Sequence, residues 1–185
     1  MKEKLIWNEE SRRNVFACPI FSISERLCRS PADGNILKPY TVLDTSDWAI
    51  VTPVLETGRG REFVMVRQWR HGARDLSLEF PGGVFEKGEE AAAAAARELR
   101  EETGYRAGKI EKLGEFNPNP AIMSNRVYFF LASDLEQPIE QELDEDEYVE
   151  VEAVPWKEVL QGMGKPPYIH ALMGTALALY LATLP

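Results

Sequence analysis

The sequence predicts an α/β fold in which a mixed β-sheet is covered by helices. Three observations support this prediction: many short β-rich runs, one long helical segment in the middle of the chain, and two helical segments near its C-terminus. Strands interspersed with helices favour a layered α/β domain over an all-β or all-helical one. The 185 residues, 44% of them hydrophobic and 28% charged, are enough for a globular domain with a sizeable core.

The N-terminal part of the chain consists mainly of predicted strands. Residues 14–29 suggest early strands, and the Asp-Gly within residues 32–35 is a hairpin-turn signal. Residues 40–55 contain two β-rich runs separated by Asp-Thr-Ser-Asp. After a turn, FVMVRQWR at residues 63–70 predicts a buried strand that precedes the glycine-containing segment SLEFPGG.

A central helix is predicted from about Glu89 to Thr103. Gly104 follows it at the position where a left-handed residue ends many helices. Leu99 is expected to face the core. Small residues on the same side, one and two turns earlier, would allow a close approach to the sheet: Ala92, Ala95 and Ala96.

Beyond the helix, the pattern predicts three more strands, a short helix that begins with Pro155 as its first residue, and a final helix over about residues 169–184. An acidic loop precedes the last strand. We expect residues 1–40 to form a β-rich extension that could supply dimer contacts, and residues 41–185 to form the main domain.

Charge and cysteine content exclude several classes of function. The formal charge of -9 argues against general affinity for nucleic acid or anionic membranes. Cys18 and Cys28 are too few and too widely spaced for a disulfide framework or a zinc site, which indicates reduced thiols in a cytoplasmic protein. The N-terminus lacks the apolar region of a secretory signal, and the apolar C-terminal tract is shorter than the roughly 20 residues of a membrane span.

Three glutamates, Glu98, Glu101 and Glu102, are crowded at the end of the predicted central helix. Their spacings of three and four residues place them on one helix face. If that face is partly buried, each like-charged pair ~6 Å apart costs roughly 2–3 kcal/mol at an effective dielectric near 20. A divalent cation such as Mg²⁺, which prefers oxygen ligands, would offset this cost.

A solvated acidic face, neutralised by Arg97 and Arg100, is the alternative interpretation of this cluster. The loop before the helix favours the cation. Gly82 and Gly83 allow the backbone to bend and bring its carbonyl groups near the carboxylates, which together would cradle a metal ion and a diphosphate.

The stretch from Gly83 to Tyr105 resembles the Nudix box, G-x5-E-x7-R-E-U-x-E-E-x-G-U, where U is a bulky apolar residue. Every fixed position matches, and the aromatic Tyr105 is a mild departure from the commoner aliphatic residue. The matching positions are Gly83, Glu89, Arg97, Glu98, Leu99, Glu101, Glu102, Gly104 and Tyr105. The order of strands and helices also resembles the Nudix fold, an α/β/α sandwich with a central catalytic loop–helix.

This resemblance implies hydrolysis of a diphosphate bond between a nucleoside and another group, with Mg²⁺ or Mn²⁺ as cofactor. It implies that Glu98, Glu101 and Glu102 bind the metal, that Glu101 and Glu102 are catalytic, and that the Gly82 carbonyl is a further ligand. Such a metal would neutralise diphosphate oxygens and position the attacking water. The residues with implied structural roles are Gly83, Glu89, Arg97 and Gly104, with Glu89 and Arg97 pairing to hold the loop on the helix.

The attacking water also needs a general base. In the ADP-ribose pyrophosphatase branch, which the sequence resembles most, a glutamate on a loop after the box has this role. Glu145 and Glu147 are the candidates, with a slight preference for Glu145. At least two residues of the acidic run would be ordinary solvated loop residues: Asp144, Glu145, Asp146 and Glu147.

Three features resemble that branch and favour a nucleoside diphosphate sugar as substrate. Pro120 lies sixteen residues after Gly104, LEFPGG is similar to the branch's Leu-Glu-Phe-Pro-Ala-Gly, and VRQWR resembles its Gln-aromatic-Arg strand. Arg70 would then contact phosphate or ribose, although a surface ion pair is the alternative. Pro120 is a further candidate for substrate binding. Trp48 or Trp7 could stack on a base or lie in the core.

Other features leave the substrate open. Gly82 replaces the alanine common in the branch, and Asn125 follows Ser124 where several members carry an acidic residue. The alternatives are GDP-mannose or another nucleotide sugar, an oxidised nucleoside triphosphate, and a non-catalytic nucleotide-sugar sensor. Pro120 disfavours the triphosphate, and the intact box disfavours the sensor. The resemblance also implies a homodimer, whereas His71 and His170 receive no role.

Overall fold

A computed structural model describes residues 5–32, 34, 36–145 and 147–185. Within these residues the chain forms ten strands and three helices. Its contacts divide it into two compact units, Met1–Ser46 with Asn117–Arg126, and Asp47–Phe116 with Val127–Pro185. Asp33 and Asn35 of the predicted hairpin turn, and Asp146 of the acidic run, lie outside the described residues.

The first unit contains an antiparallel three-stranded sheet. Its strands, in the spatial order β1-β2-β3, are β1 (Asn8–Ala17), β2 (Ser22–Arg29) and β3 (Leu37–Asp44). Strand β1 is exposed along its whole length. The exposed side chains of β1 and β3 include four large apolar residues: Val15, Phe16, Leu37 and Tyr40.

The second unit contains a seven-stranded mixed sheet. The spatial order is β10-β5-β4-β9-β8, with β6 paired to β5 and β7 paired to β4. The β4–β9 pair is parallel, and the other pairs are antiparallel. The strands are β4 (Trp48–Thr57), β5 (Gly60–Arg70), β6 (Asp75–Glu79), β7 (Gly82–Val84), β8 (Ala107–Phe116), β9 (Val127–Leu135) and β10 (Glu150–Pro155). The predicted α/β class with a mixed sheet is thereby confirmed.

Alternating side chains of β4 and β9 face two separate apolar clusters, because successive residues of a strand point to opposite faces. Ile50 and Phe129 belong to the cluster that also contains residues of α2 (Trp156–Gly162) and α3 (Ala171–Leu181). Ala49 and Phe130 belong to the cluster beneath α1 (Ala91–Thr103). Helices therefore cover both faces of the sheet of this unit.

The bounds of all three helices differ from the sequence prediction. Helix α1 begins at Ala91 with Glu90 as its N-cap, Pro155 caps α2 instead of being its first residue, and α3 is shorter at both ends than predicted. None of the three helices within the described residues has the length and hydrophobicity that crossing a membrane would require.

The buried face of α1 also differs from the prediction. Ala92 and Ala96, expected to face the sheet, are exposed, and that expectation was wrong. The buried residues are Ala94, Ala95, Glu98, Leu99, Glu102 and Thr103. The buried face of the helix thus includes two glutamates as well as Leu99.

Candidate active site

An open cleft of about 370 Å³ lies between the C-terminal half of α1, strand β7 and the loop before β10. We call it the acidic cleft because carboxylates dominate its walls. Its acidic lining residues are Glu86, Glu98, Glu101, Glu102, Glu142, Asp144 and Glu147. Arg70 and Arg97 are the cations among the described residues that line it.

Glu102 is the most deeply buried carboxylate of this cleft, with 4% of the residue exposed. The backbone N–H of Gly82 donates a hydrogen bond of 2.8 Å to Glu102 Oε2. Burial raises the pKa of Glu102 to about 8, the charges of Glu98 and Glu147 add to the rise, and the Gly82 hydrogen bond opposes it. The fold therefore holds this carboxylate where its negative charge lacks sufficient compensation.

Glu98 lies one helical turn earlier and is also buried. Burial raises the pKa of Glu98 to about 7, against the opposing effect of Arg97 and with the help of the charges of Glu101 and Glu147. A Cβ atom on Gly83 would come within 2.5 Å of Glu98 Oε1. Glycine at this position therefore makes the room that the Glu98 carboxylate occupies.

Arg97 ties the loop before α1 to the helix itself. Its Nε and Nη2 atoms donate to the two carboxylate oxygens of Glu89, at 2.9 and 3.0 Å, and Nη2 also donates to the Val84 carbonyl. Its Nη1 donates to Glu98 at 2.8 Å and to Glu101 at 3.0 Å. One guanidinium thus positions both the loop and two of the three clustered glutamates.

The donor set of the cleft suits a hard divalent cation. Carboxylate oxygens are the ligands that Mg²⁺ prefers, and two of these carboxylates are buried with raised pKa values, so a cation would relieve their repulsion. Within the described parts of the chain, no three His, Cys, Asp or Glu side chains already form a group that could hold a metal. Instead, Arg97 binds one oxygen of each of Glu98 and Glu101.

The acidic loop before β10 is attached to the C-terminal end of α1. The N–H groups of Ile139 and Glu142 donate to the carbonyls of Gly104 and Glu101, each at 3.0 Å. Gly104 has a φ of 73°, and a Cβ atom there would overlap the Ile139 carbonyl oxygen. Glycine at the helix end is therefore required for two reasons, the left-handed backbone and the close passage of the loop.

Gln141 strengthens this attachment and was missed by the sequence analysis. Its Nε2 donates to the Glu102 carbonyl at 2.5 Å and lies 3.5 Å from the Val149 carbonyl. The side chain thus joins the end of α1 to the residue before β10. No local sequence pattern predicts this role. The Glu102 carbonyl is 39 residues away in the sequence, and Val149 lies on the other side of the acidic loop.

The two predicted base candidates occupy different positions. Glu147 lines the acidic cleft, and one of its carboxylate oxygens lies 3.3 Å from the Asp144 N–H. Both residues are exposed, but Glu145 is not among the described residues that line the cleft. The lining of the cleft thus favours Glu147 over Glu145 as the candidate base.

Arg70 lies at the end of β5 and combines the two interpretations made from the sequence. Its Nε and Nη2 donate to the two oxygens of the buried Glu79 carboxylate, at 2.9 and 2.6 Å. Hydrogen bonds and the charge of Arg70 lower the pKa of Glu79 although burial alone would raise it. Arg70 is thus ion-paired and at the same time lines the acidic cleft.

The three remaining candidates are placed as follows. Trp48 lines a second cavity that adjoins the acidic cleft and also packs partly against the apolar core. Trp7 and Pro120 belong to the first unit, where Pro120 is exposed and the Trp7 ring packs edge-on against Tyr40 at 5.4 Å.

Gly82 stands where the branch that the sequence resembles commonly carries alanine, and the fold gives a reason. Gly82 lies opposite Ile50 in the antiparallel β4–β7 pair, and a Cβ atom on Gly82 would overlap the Ala49 carbonyl oxygen. In this chain only glycine allows β7 to lie so close to the neighbouring strand.

Comparison with known proteins found a matching family model and several similar proteins. The model of the NUDIX domain family matches residues 47–173. ADP-ribose pyrophosphatase of Bacillus subtilis (strain 168) is 43% identical over 101 residues, which are 54% of this chain and 55% of that protein. The matched region thus spans only about half of that relative's length.

Two further similarities extend over more of the chain. GDP-mannose pyrophosphatase of Klebsiella pneumoniae is 31% identical over 139 residues, 70% of this chain and 69% of that protein. The crystal structure of an ADP compounds hydrolase superposes with a TM-score of 0.82 at 22% identity, covering 95% of this chain and 92% of the other. At that identity, the superposition supports the fold alone.

Proposed function

Because the chain belongs to the Nudix family, we propose that it hydrolyses the diphosphate bond of ADP-ribose or a related nucleoside diphosphate sugar, releasing a nucleoside monophosphate and a sugar phosphate. The observation that carries this proposal is the buried pair Glu98 and Glu102 beside the backbone of Gly82 and Gly83. Two buried carboxylates with raised pKa values in an open cleft are typical of a functional site.

In the proposed mechanism Glu98, Glu101, Glu102 and the Gly82 carbonyl would bind the cofactor, Mg²⁺ or Mn²⁺. That cation would supply charge neutralisation for the diphosphate oxygens and polarisation of the attacking water. Glu147 accepts a proton from this water while the water oxygen forms a bond to one phosphorus atom. The bond from that phosphorus to the bridging oxygen breaks, and the bridging oxygen leaves with the other phosphate. Arg70, at the edge of the cleft, orients the phosphate oxygens.

The nucleotide-sugar class is supported by the names of the relatives, an ADP-ribose pyrophosphatase and a GDP-mannose pyrophosphatase. We place ADP-ribose first because the more similar of these two proteins carries that name. A substrate panel tests this choice: ADP-ribose, GDP-mannose, UDP-glucose, ADP-glucose and 8-oxo-dGTP, each with Mg²⁺ or Mn²⁺, with products separated by chromatography.

The expected products are a nucleoside monophosphate and a sugar phosphate, formed by the wild-type protein and lost in Glu101→Gln. Glu111→Gln, an exposed glutamate on β8 that pairs with Lys109, is the matched control and should retain activity. Release of pyrophosphate from 8-oxo-dGTP alone would favour the triphosphate alternative. Tight binding of a nucleotide sugar without turnover would favour the sensor.

We also propose that the protein is a homodimer. The support is the exposed edge strand β1 and the exposed apolar side chains Val15 and Phe16, since apolar groups on an exposed strand favour association. Sedimentation equilibrium should give twice the chain mass, and Phe16→Asp should shift the protein toward the monomer. A wild-type protein that stays monomeric at tens of micromolar would contradict this.

A cytoplasmic location is proposed on the basis of the two cysteines. Cys18 and Cys28 are both free thiols in the structure, as expected in a reducing compartment.

A further inference from the structure

A second cavity, of about 210 Å³, adjoins the acidic cleft, and the three residues of β7 and Arg70 line both. We call it the His170 pocket. Its other walls come from the start of β4, the end of β6 and the start of α3: Trp48, Ile50, Glu79, His170, Leu172 and Met173. Because Arg70 and β7 line both cavities, a substrate that lies across β7 would contact both.

His170 presents a defined hydrogen-bond donor to this pocket. Its Nδ1 accepts a hydrogen bond of 3.2 Å from the Leu172 N–H and thereby caps α3. Burial lowers the pKa of His170 while the charge of Glu79 opposes this, so the ring is neutral at pH 7. Since Nδ1 accepts, the single proton of the neutral ring lies on Nε2.

Glu79 presents the complementary acceptor. Its carboxylate is almost fully buried and receives two hydrogen bonds from Arg70. An ionised carboxylate has about four lone-pair positions, so two hydrogen bonds leave acceptor capacity unused. The Arg70 pair therefore fixes the orientation of Glu79 without saturating it.

The His170 Nε2 and Glu79 Oε2 atoms are 4.0 Å apart, too far for a direct hydrogen bond. An oxygen atom can nevertheless lie at about 2.8 Å from both of them. A group at that point must accept from Nε2–H and donate to the carboxylate through the same atom. A hydroxyl group does both, whereas the ring nitrogens, carbonyls and amino groups of a nucleobase each do one.

We propose that the His170 pocket binds the sugar ring of the sugar phosphate half of the substrate, with one hydroxyl group bridging His170 and Glu79. This inference rests on the proposed function, because it places the diphosphate in the adjoining acidic cleft. The cavity is smaller than the roughly 300 Å³ at which pockets for drug-sized ligands begin, and it therefore suits a single ring. Trp48 provides an apolar face against which such a ring can pack.

The first test uses imidazole signals in long-range ¹H–¹⁵N NMR spectra, which are simple because the chain has only two histidines. His71→Asn assigns the two sets. With Mg²⁺ present, ribose 5-phosphate should shift the His170 signals and leave those of His71 unchanged, and inorganic phosphate should leave both unchanged. The inference is overturned if AMP shifts the His170 signals and ribose 5-phosphate does not, or if inorganic phosphate alone reproduces the shift.

The second test separates the binding role of His170 from its capping role. Asparagine is a favourable N-cap residue and can accept from the Leu172 N–H, but it is too short to place a donor where Nε2 lies. His170→Asn should keep the thermal midpoint and weaken ribose 5-phosphate binding about 3- to 10-fold, the effect of one hydrogen bond. His71→Asn should leave binding unchanged.

A merely structural role would predict the opposite pattern, with unchanged binding in His170→Asn. Failure of this inference is also distinguishable from failure of the proposed function. If the wild-type protein hydrolyses ADP-ribose while ribose 5-phosphate leaves His170 unaffected, only the placement of the sugar is wrong. If ribose 5-phosphate shifts His170 and no nucleotide sugar is hydrolysed, the sugar site stands and the hydrolase proposal fails.

Discussion

Glu102 is a residue whose charge destabilises the metal-free fold. The pKa of a free glutamate is ~4.3, and burial raises that of Glu102 to about 8. The folded state therefore binds the proton more strongly than the unfolded state does. The corresponding stability is present at low pH and is lost as the pH rises through about 8.

The first prediction concerns Glu102→Gln. Glutamine keeps an acceptor for the Gly82 N–H but cannot ionise. In EDTA at pH 8 we expect the variant to be more stable by on the order of 2 kcal/mol, which is about 4–8 °C in Tm. Hydrolysis should be lost at the same time. Thermal unfolding from pH 5 to 9 checks this prediction. Glu101→Gln, at a partly exposed residue, is the control and should not stabilise the protein. A Tm difference between Glu102→Gln and the wild type that stays constant across that pH range would refute the prediction.

The second prediction compares two neighbouring glutamates. Because Glu147 lines the acidic cleft and Glu145 does not, Glu147→Gln should lower kcat about 10²- to 10⁴-fold, as expected for loss of a general base. Glu145→Gln should stay within about twofold of the wild type. Steady-state kinetics with ADP-ribose at saturating Mg²⁺ decides between them, and the reverse ranking would restore Glu145 as the base.

At the scale of secondary-structure elements, the acidic loop depends on the end of α1. The loop passes so close to Gly104 that any side chain there would meet the Ile139 carbonyl. The N–H groups of residues 139 and 142 and the Gln141 side chain all bind carbonyls of the last helical turn or its cap. A change at the helix end is therefore transmitted to the loop that carries Glu147.

The third prediction is that Gly104→Ala destabilises the protein more than Gly88→Ala. Both glycines have positive φ, 73° and 82°, so alanine incurs a left-handed backbone penalty of about 1–2 kcal/mol at each. Only at Gly104 does the new methyl group also collide with the backbone, since no atom lies within 4 Å of a Cβ at Gly88. Urea unfolding should show the difference, and Gly104→Ala should also lower kcat. Equal destabilisation by the two substitutions would argue against the close passage.

Sequence patterns predicted the elements that depend on local spacing and missed the contacts that depend on tertiary structure. The position of α1, its glycine cap and the order of the strands follow from residues close together in the chain. Gln141 was missed and His170 received no role because their partners, the Glu102 carbonyl and Glu79, are brought to them by the fold. The buried face of α1 was predicted incorrectly because the prediction considered only apolar residues, whereas Glu98 and Glu102 are also buried.

At the scale of the whole molecule, Asp44 in the first unit is the carboxylate that we expect to influence stability in acid. Its carboxylate receives hydrogen bonds from Ser24 at 2.6 Å and Ser124 at 2.7 Å and pairs with Arg12 and Arg26. Burial would raise the pKa of Asp44, but the hydrogen bonds of Ser124 and Ser24 and the charges of both arginines outweigh it and lower the pKa to about 2.

The fourth prediction follows from this lowered pKa. The unfolded value is ~3.9, so Asp44 contributes about 2 kcal/mol of stability above pH 4, and this contribution is lost as the pH falls through 2. Asp44→Asn should therefore be less stable than the wild type at pH 6 and should lose less stability on acidification. Urea unfolding between pH 2 and 6 measures how the free energy of unfolding changes with pH in the wild type and in the variant. Asp75→Asn, at an exposed aspartate of β6, is the control; parallel slopes for Asp44→Asn and the wild type would contradict the prediction.

The short strand β7 separates the acidic cleft from the His170 pocket, and two of its three residues are glycines. A side chain at Gly82 would meet backbone, and one at Gly83 would meet the Glu98 carboxylate. The wall between the two cavities therefore has no side chain at two of its three positions, and a substitution there would displace the backbone of β4 or the Glu98 carboxylate. Any redesign of substrate preference must begin at the opposite walls, at Trp48 or at the start of α3, where side chains can be exchanged while the glutamates stay in place.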